Sequence, residues 1–343
     1  MKLNITFPFA AVQKTGARIG VFFLAALAHA AFAASAIVDT AYVIDAQKRG
    51  AIIWDTRAAA MYKAGHIPGA INIGDIGNEL RDEQREDYIA LTKIEKLLGD
   101  AGIDPTKEIV VYGLKGNPYV YFGLVSLQYF SAANAKIYHG GIDDWKTAGQ
   151  MVATEPSKLP PIALKIKLRP ELMVDTEEVR RKLRDPKVQI VDVRTPAEYR
   201  GEDIRAIRGG HIPGAVSINY LENQVDPDAA VKIEKKLVAN KDGINLKPRE
   251  ELLKLYAKLD PEKETIVYCQ SGIRASETAT VLADLGFKNV RVYDASWIGY
   301  GSTLDAPAED VTFFNVGNMT GKITALQRRV EGLERELAAA KAK

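Results

Sequence analysis

The sequence predicts an α/β protein of two tandem domains, each a parallel sheet flanked by helices, followed by a C-terminal coiled-coil-like helix. Three observations predict it. The hexapeptide GHIPGA occurs twice, at 65–70 and 210–215. DPTKEIVVYG at 104–113 matches DPEKETIVYC at 260–269, a constant offset of 156 residues. Short β-branched runs alternate with helical patterns through both copies, which implies a parallel sheet covered on both faces. At 343 residues the chain is long enough for two domains, each with its own core.

Taken in order, the chain opens on Lys2, Lys14 and Arg18, then an apolar run from Ile19 to Ala36, with no acidic residue before Asp39. Small residues at Ala31 and Ala33 complete the pattern of a secretory signal, expected over 1–33 with cleavage near Ala33, so a periplasmic or secreted protein is predicted. The competing reading is an uncleaved membrane anchor, because the run approaches the length that spans a bilayer. His29 and the alanine-rich second half favour cleavage.

The first domain is predicted over 37–153, with strands at AIIWD (51–55) and EIVVY (108–112). Four prolines between Thr154 and Leu172 mark a linker at 154–172. The second domain, 173–306, repeats the order with strands at VQIVDV (188–193) and TIVY (265–268). Helices are expected at Glu250–Leu259 and at Ser276–Gly286, where Gly286 suits a helix C-cap. After Thr320, Ile323, Leu326, Val330, Leu333, Leu337 and Ala340 are spaced 3, 4, 3, 4 and 3, the a/d spacing of a coiled coil. The region 320–343 therefore reads as a self-association helix, the alternative being an amphipathic helix folded back on the body.

Charge excludes some classes. The 46 basic and 44 acidic residues leave a net charge of +2, without the basic excess that nucleic-acid binding needs. The four histidines do not cluster and only one cysteine accompanies them, so neither a metal site nor a cofactor is expected. A single cysteine also excludes an intramolecular disulfide.

That cysteine carries the chemistry. Cys269 follows a buried-looking strand and opens the loop Gln270, Ser271, Gly272, Ile273, Arg274 before a helical pattern. Gly272 lets the loop curl so that backbone N–H groups turn inward, and a helix N-terminus stabilises an anion there, including the cysteine's own thiolate. Arg274 adds a permanent positive charge. Free cysteines are commonly buried small hydrophobes. The strand–loop–helix placement with Gly272 and Arg274 instead favours an activated nucleophile or sulfur carrier. Gly113 occupies the equivalent position of the first copy, which therefore has no nucleophile and is expected to wall the cleft. His66 and His211, within the two hexapeptides, are read as turn and packing residues.

The paired DTR (55–57) and DVR (192–194) strand ends, the two GHIPGA loops, YCQSGIR (268–274) and YDASW (293–297) together resemble the tandem rhodanese family, which includes thiosulfate and mercaptopyruvate sulfurtransferases. The resemblance covers roughly Ile37 to Thr303 and points to an exported bacterial type. It implies two rhodanese-like domains and an enzyme that moves sulfane sulfur through a Cys269 persulfide. The implied donor is thiosulfate or 3-mercaptopyruvate, and the implied acceptor is cyanide or a thiol. Glu198 stands where eukaryotic-type members place a substrate-binding arginine, so Arg194, Arg200, Arg205 and Arg208 are candidates to replace it. Nineteen positions separate Asp192 from His211, against eleven between Asp55 and His66, and the extra residues are expected to form a lid or substrate-facing loop. Phosphatases of related fold have five residues between cysteine and arginine where this chain has four, which argues against phosphate chemistry. The alternative class is a non-turnover persulfide carrier or an oligomeric scaffold.

Overall fold

The computed structural model describes residues 35–82 and 86–341. The predicted signal segment, 1–33, lies outside the described residues. Among the described residues no helix is long and apolar enough to cross a membrane.

The first domain runs β1 (Ile37–Val38), α1 (Thr40–Lys48), β2 (Ile52–Asp55), α2 (Ala59–Ala64), β3 (Ile71–Asn72), α3 (Ile76–Leu80), α4 (Leu91–Asp100), β4 (Ile109–Tyr112), α5 (Pro118–Tyr129), β5 (Ala135–Tyr138) and α6 (Gly141–Thr147). Its five strands are all parallel, in the order β1-β5-β4-β2-β3. Every residue of β2 and β4 is buried, as expected for a sheet covered on both faces. Alternate residues feed opposite layers: Trp54, Val111 and Ile137 pack on one side, Ile53, Val110 and Tyr138 on the other.

The second domain runs β6 (Met173–Val174), α7 (Thr176–Lys182), β7 (Val188–Asp192), α8 (Pro196–Tyr199), β8 (Arg208–His211), β9 (Val216–Ser217), α9 (Ala229–Glu234), α10 (Arg249–Leu255), β10 (Glu264–Tyr268), α11 (Ile273–Leu285), β11 (Asn289–Tyr293) and α12 (Ser296–Ser302). Its sheet, β6-β11-β10-β7-β9, is also all parallel and repeats the first strand for strand. Gly286 ends α11 at φ 101°, the left-handed conformation that its place in the sequence predicts. Two additions are specific to this copy. β12 (Glu309–Phe313) pairs antiparallel with β8, so the second domain continues beyond residue 306. A long helix, α13 (Val316–Lys341), then leaves the body.

The proline-rich linker is extended and lies along the first domain. Ile162 donates to Gly99 O, Ile166 donates to a Glu95 carboxylate oxygen, and Leu164 and Ile166 pack on the core. The domains meet through α5 and α11. Ile273 inserts into the first domain's core, and Val125 packs into the second's. Beside these helices, the buried His139 ring bridges the domains. Ile244 O accepts its Nε2–H at 3.0 Å, which leaves Nδ1 to accept from the Tyr121 hydroxyl at 2.7 Å. Burial pushes the His139 pKa down to about 4, so the ring bridges as the neutral form.

The hexapeptide repeats because each copy closes the same lock. Asp55 pairs with Arg57, whose Nη2 donates to Gly65 O at 2.9 Å. Asp192 pairs with Arg194, whose Nη2 donates to Gly210 O at 2.7 Å. His66 stacks on Tyr62 at 3.7 Å, and His211 stacks on Tyr199 at 3.6 Å. Ile67 and Ile212 each donate their N–H to a strand tyrosine hydroxyl, Tyr112 and Tyr268. Both histidines pack within the turn, and neither lines the pocket that contains Cys269.

Candidate active site

β10 delivers Cys269 at its carboxyl end, and α11 begins four residues later at Ile273. Between them Gly272 sits at φ 79°. A Cβ on Gly272 would lie 2.5 Å from Asp294 Oδ1 and 2.9 Å from the Asp294 backbone oxygen, so conformation and space both require glycine. The loop is clamped from below by the start of α12. Ser296 Oγ accepts the N–H groups of Cys269 and Gly272, each at 3.0 Å, and donates to Tyr293 O at 2.6 Å. Trp297 N–H holds the Cys269 carbonyl and Ile298 N–H holds that of Gln270. Ser296 itself adopts φ 46°, a conformation that costs energy for a residue with a side chain. Gly141, at φ 54°, has the same place in the first copy. The serine keeps its strained backbone because its hydroxyl ties two points of the loop to the end of β11.

With the Gly272 N–H occupied, the N–H groups of Gln270, Ser271, Ile273 and Arg274 have no protein acceptor among the described residues. They flank Cys269 at the N-terminus of the thirteen-residue helix α11, an end that favours an anion. Cys269 is buried at the floor of a pocket of about 300 Å³. Gln270, Ser271, Ile273 and Arg274 form one side, Arg205 and Tyr220 another, and Pro118 and Tyr119 of the first domain complete it.

The Arg274 charge is not free. Its two terminal nitrogens each donate to a Glu198 oxygen at 2.7 Å. Glu198 is buried on α8, fixed by a capping box with Thr195. Burial pushes the Glu198 carboxyl up, but the Arg274 hydrogen bonds and charge outweigh it and hold its pKa at about 2. Its ion pair is therefore complete above the ordinary carboxylate range and is lost only as pH falls towards that value. The Arg274 pKa is raised in turn: burial opposes its charge, and Glu198 and the Cys269 sulfur outweigh that. Arg205 reaches the same carboxylate at 3.2 Å with a half-exposed side chain. One carboxylate facing two guanidiniums leaves a single net positive charge at the pocket.

The four candidate substrate arginines separate. Arg205 lines the pocket, and its backbone oxygen accepts the Gln270 side-chain N–H at 2.6 Å, so the inserted segment after Arg200 does face the site. The other three are corrected by their surroundings. Arg194 is buried in its pair with Asp192, between the Tyr268 and Trp297 rings. Arg208 is buried and donates to the carbonyls of Gly301, Thr303 and Ala306. Arg200 is exposed and paired with Glu202.

The contacts made by Ser296, Glu198 and Asp294 escaped the sequence reading, although Glu198 and the YDASW segment were both singled out there. Ser296 was signalled by its alignment with Gly141, and Glu198 by its departure from the family arginine. Asp294, behind Gly272, pairs with Arg81 of the first domain at 2.9 Å, a contact across 213 residues that no local pattern announces. In the first copy, a Cβ on Gly113 would lie 2.7 Å from Val120 Cγ2 and 3.0 Å from Thr56 Oγ1. That position lacks the room for a nucleophile as well as the sulfur.

Comparison with known proteins identifies the family. The family described as Rhodanese-like domain matches twice, at residues 39–148 and 175–303. A thiosulfate sulfurtransferase of Corynebacterium glutamicum is 32% identical over 271 residues, covering 75% of this chain and 84% of that protein. The sulfur carrier protein TtuD of Thermus thermophilus is 31% identical over 262 residues, covering 72% and 86%. Among solved structures, the anaerobic ergothioneine biosynthesis enzyme of Chlorobium limicola superposes with a TM-score of 0.68 at 23% identity, over 80% of this chain and 69% of that one, a likeness of fold.

Proposed function

The chain belongs to the rhodanese family as a tandem-domain sulfurtransferase, and from that premise we propose that Cys269 accepts sulfane sulfur from thiosulfate as a persulfide. The observation that carries this reading is the setting of the thiol: one cysteine at a helix N-terminus, flanked by open N–H groups, in a pocket with one net positive charge. The Cys269 thiolate attacks the outer sulfur of thiosulfate. The S–S bond of the donor breaks, and sulfite leaves with the bonding pair. The terminal sulfur of the new persulfide carries the negative charge, which the loop N–H groups stabilise. Cyanide or a thiolate then attacks that sulfur, and thiocyanate or a new persulfide departs as the Cys269 thiolate is restored. 3-Mercaptopyruvate remains the alternative donor. The relative named as a sulfur carrier supports a second reading, in which the acceptor is a protein thiol and cyanide turnover is slow. Export rests on the sequence of 1–33.

Intact mass after donor alone tests the proposal. A gain of one sulfur with thiosulfate, removed by cyanide with release of thiocyanate, is the expected result. No gain with either donor would sink it.

Arg205 is the guanidinium with donors to spare for the donor's anionic end, since only its Nη1 reaches Glu198, at 3.2 Å, whereas both terminal nitrogens of Arg274 are committed there. Arg205→Ala keeps the backbone oxygen that holds Gln270. It is expected to raise KM for thiosulfate roughly tenfold or more, with kcat less affected, as removal of one charge-assisted contact does. An unchanged KM in steady-state assays at low salt would remove Arg205 from donor binding.

A further inference from the structure

The geometry points to α13 as half of a parallel, two-stranded coiled coil made with a second copy of this chain. The helix has 26 residues, about 39 Å of length, and none of them is buried. The predicted a/d row extends upstream in the structure to Val316 and Met319. Every large apolar residue of the row, from Val316 to Leu337, is exposed. The alternative of a helix folded back on the body would bury that row.

The occupant follows from the residues themselves. Three of the four a positions, Val316, Ile323 and Val330, are β-branched, the fourth being Leu337, and the central d positions Leu326 and Leu333 are leucine between Met319 and Ala340, an arrangement that favours two parallel strands. In that register, Arg329 at g faces Glu334 at e of the partner helix, and Glu336 at g faces the partner helix's Lys341 at e. Both pairs are attractive, and symmetry doubles each. Within their own helix these four residues have no opposite charge three or four positions away. By contrast, Arg328 and Arg335, on the outer face, both have Glu331 at such a distance. Gly321 and Gly332 occupy outer positions, where an added Cβ would meet nothing within 4 Å. Glycines weaken a helix without contacts to the body, so partner packing is what would stabilise it. A parallel pair places both catalytic bodies at the same end.

The test uses the full chain in sedimentation equilibrium across a range of concentrations. The expected result is twice the chain mass, falling to the monomer in Leu326→Asp with sulfurtransferase turnover per chain retained. Arg329→Glu replaces two attractive pairs with two repulsive ones and is expected to weaken the dimer roughly ten- to thirtyfold. Adding Glu334→Arg is expected to restore it. In a Cys269→Ser background, Ala340→Cys is expected to cross-link to its own counterpart. A monomer at every concentration, or a dimer that persists in Leu326→Asp, would overturn the inference. Failure of the charge swap to rescue, or of Ala340→Cys to cross-link, would overturn its parallel register.

Discussion

Cys269→Ser lowers thiocyanate formation from thiosulfate by on the order of a thousandfold or more, and the variant gains no sulfur from the donor. The size of the effect follows from the bond that must form. The intermediate is a sulfur–sulfur bond, which an oxygen nucleophile does not replace, and a serine hydroxyl has no significant anionic fraction at neutral pH. No other thiol in the chain can take over, because Cys269 is the only cysteine. The first domain cannot supply one by a simple reversal, since a side chain at Gly113 meets Val120 and Thr56. The fold, in contrast, is expected to survive. Serine is smaller than cysteine, and the clamp on this residue acts through its backbone N–H and carbonyl. A serine hydroxyl there has the unpaired loop N–H groups beside it as donors, so only a small loss of melting temperature is expected. Circular dichroism should therefore report a folded protein and mass spectrometry an unloaded one. Thiocyanate turnover near the wild-type rate in Cys269→Ser would refute the persulfide.

Much of this site was legible because it is local in sequence. Cys269 to Arg274 is one turn of chain between a strand and a helix, and residue types at that spacing fix the loop. The duplication made the sheets legible too, since each copy checked the other. What was not legible is charge partnership across the fold. Glu198 and Arg274 are 76 residues apart, and the sequence gives each a sign without saying that they cancel. The same blindness made Arg194 and Arg208 look like free cations, although the Asp192 carboxylate and the carbonyls at and just beyond the end of α12 had already claimed them. β8 reads as glycine-rich loop, because RGGH has no β-branched residue. It becomes a strand only when β12, from about 100 residues later, supplies the antiparallel partner. Burial and pairing are properties of the assembled core, and they decide which of several equal-looking arginines remains available to a substrate.

Arg194→Met tests that distinction and has the largest expected effect on stability. Methionine approximates the arginine's length but leaves Asp192 buried without its cation. The carboxylate keeps the Tyr268 hydroxyl at 2.6 Å and one backbone N–H, and it loses three side-chain hydrogen bonds from the guanidinium. Gly210 loses its carbonyl partner at the same time, so the hexapeptide turn is no longer tied to the end of β7. Breaking a buried pair by removing one member costs about 3–5 kcal/mol. For a domain of this size that is roughly a 10 °C fall in melting temperature, and it approaches the whole stability of a marginal domain. The damage reaches the active site indirectly, because the guanidinium also lies 4.7 Å from the centre of the Trp297 ring, and Trp297 N–H holds the Cys269 carbonyl. Arg200→Ala is the internal control. That side chain is exposed and paired with exposed Glu202, so its loss should leave the melting temperature essentially unchanged. If Arg194 is a structural lock, the folded fraction of Arg194→Met still binds thiosulfate with little change in KM, below a much lower melting temperature. A variant as stable as the wild type whose KM rises would instead make Arg194 a substrate ligand after all.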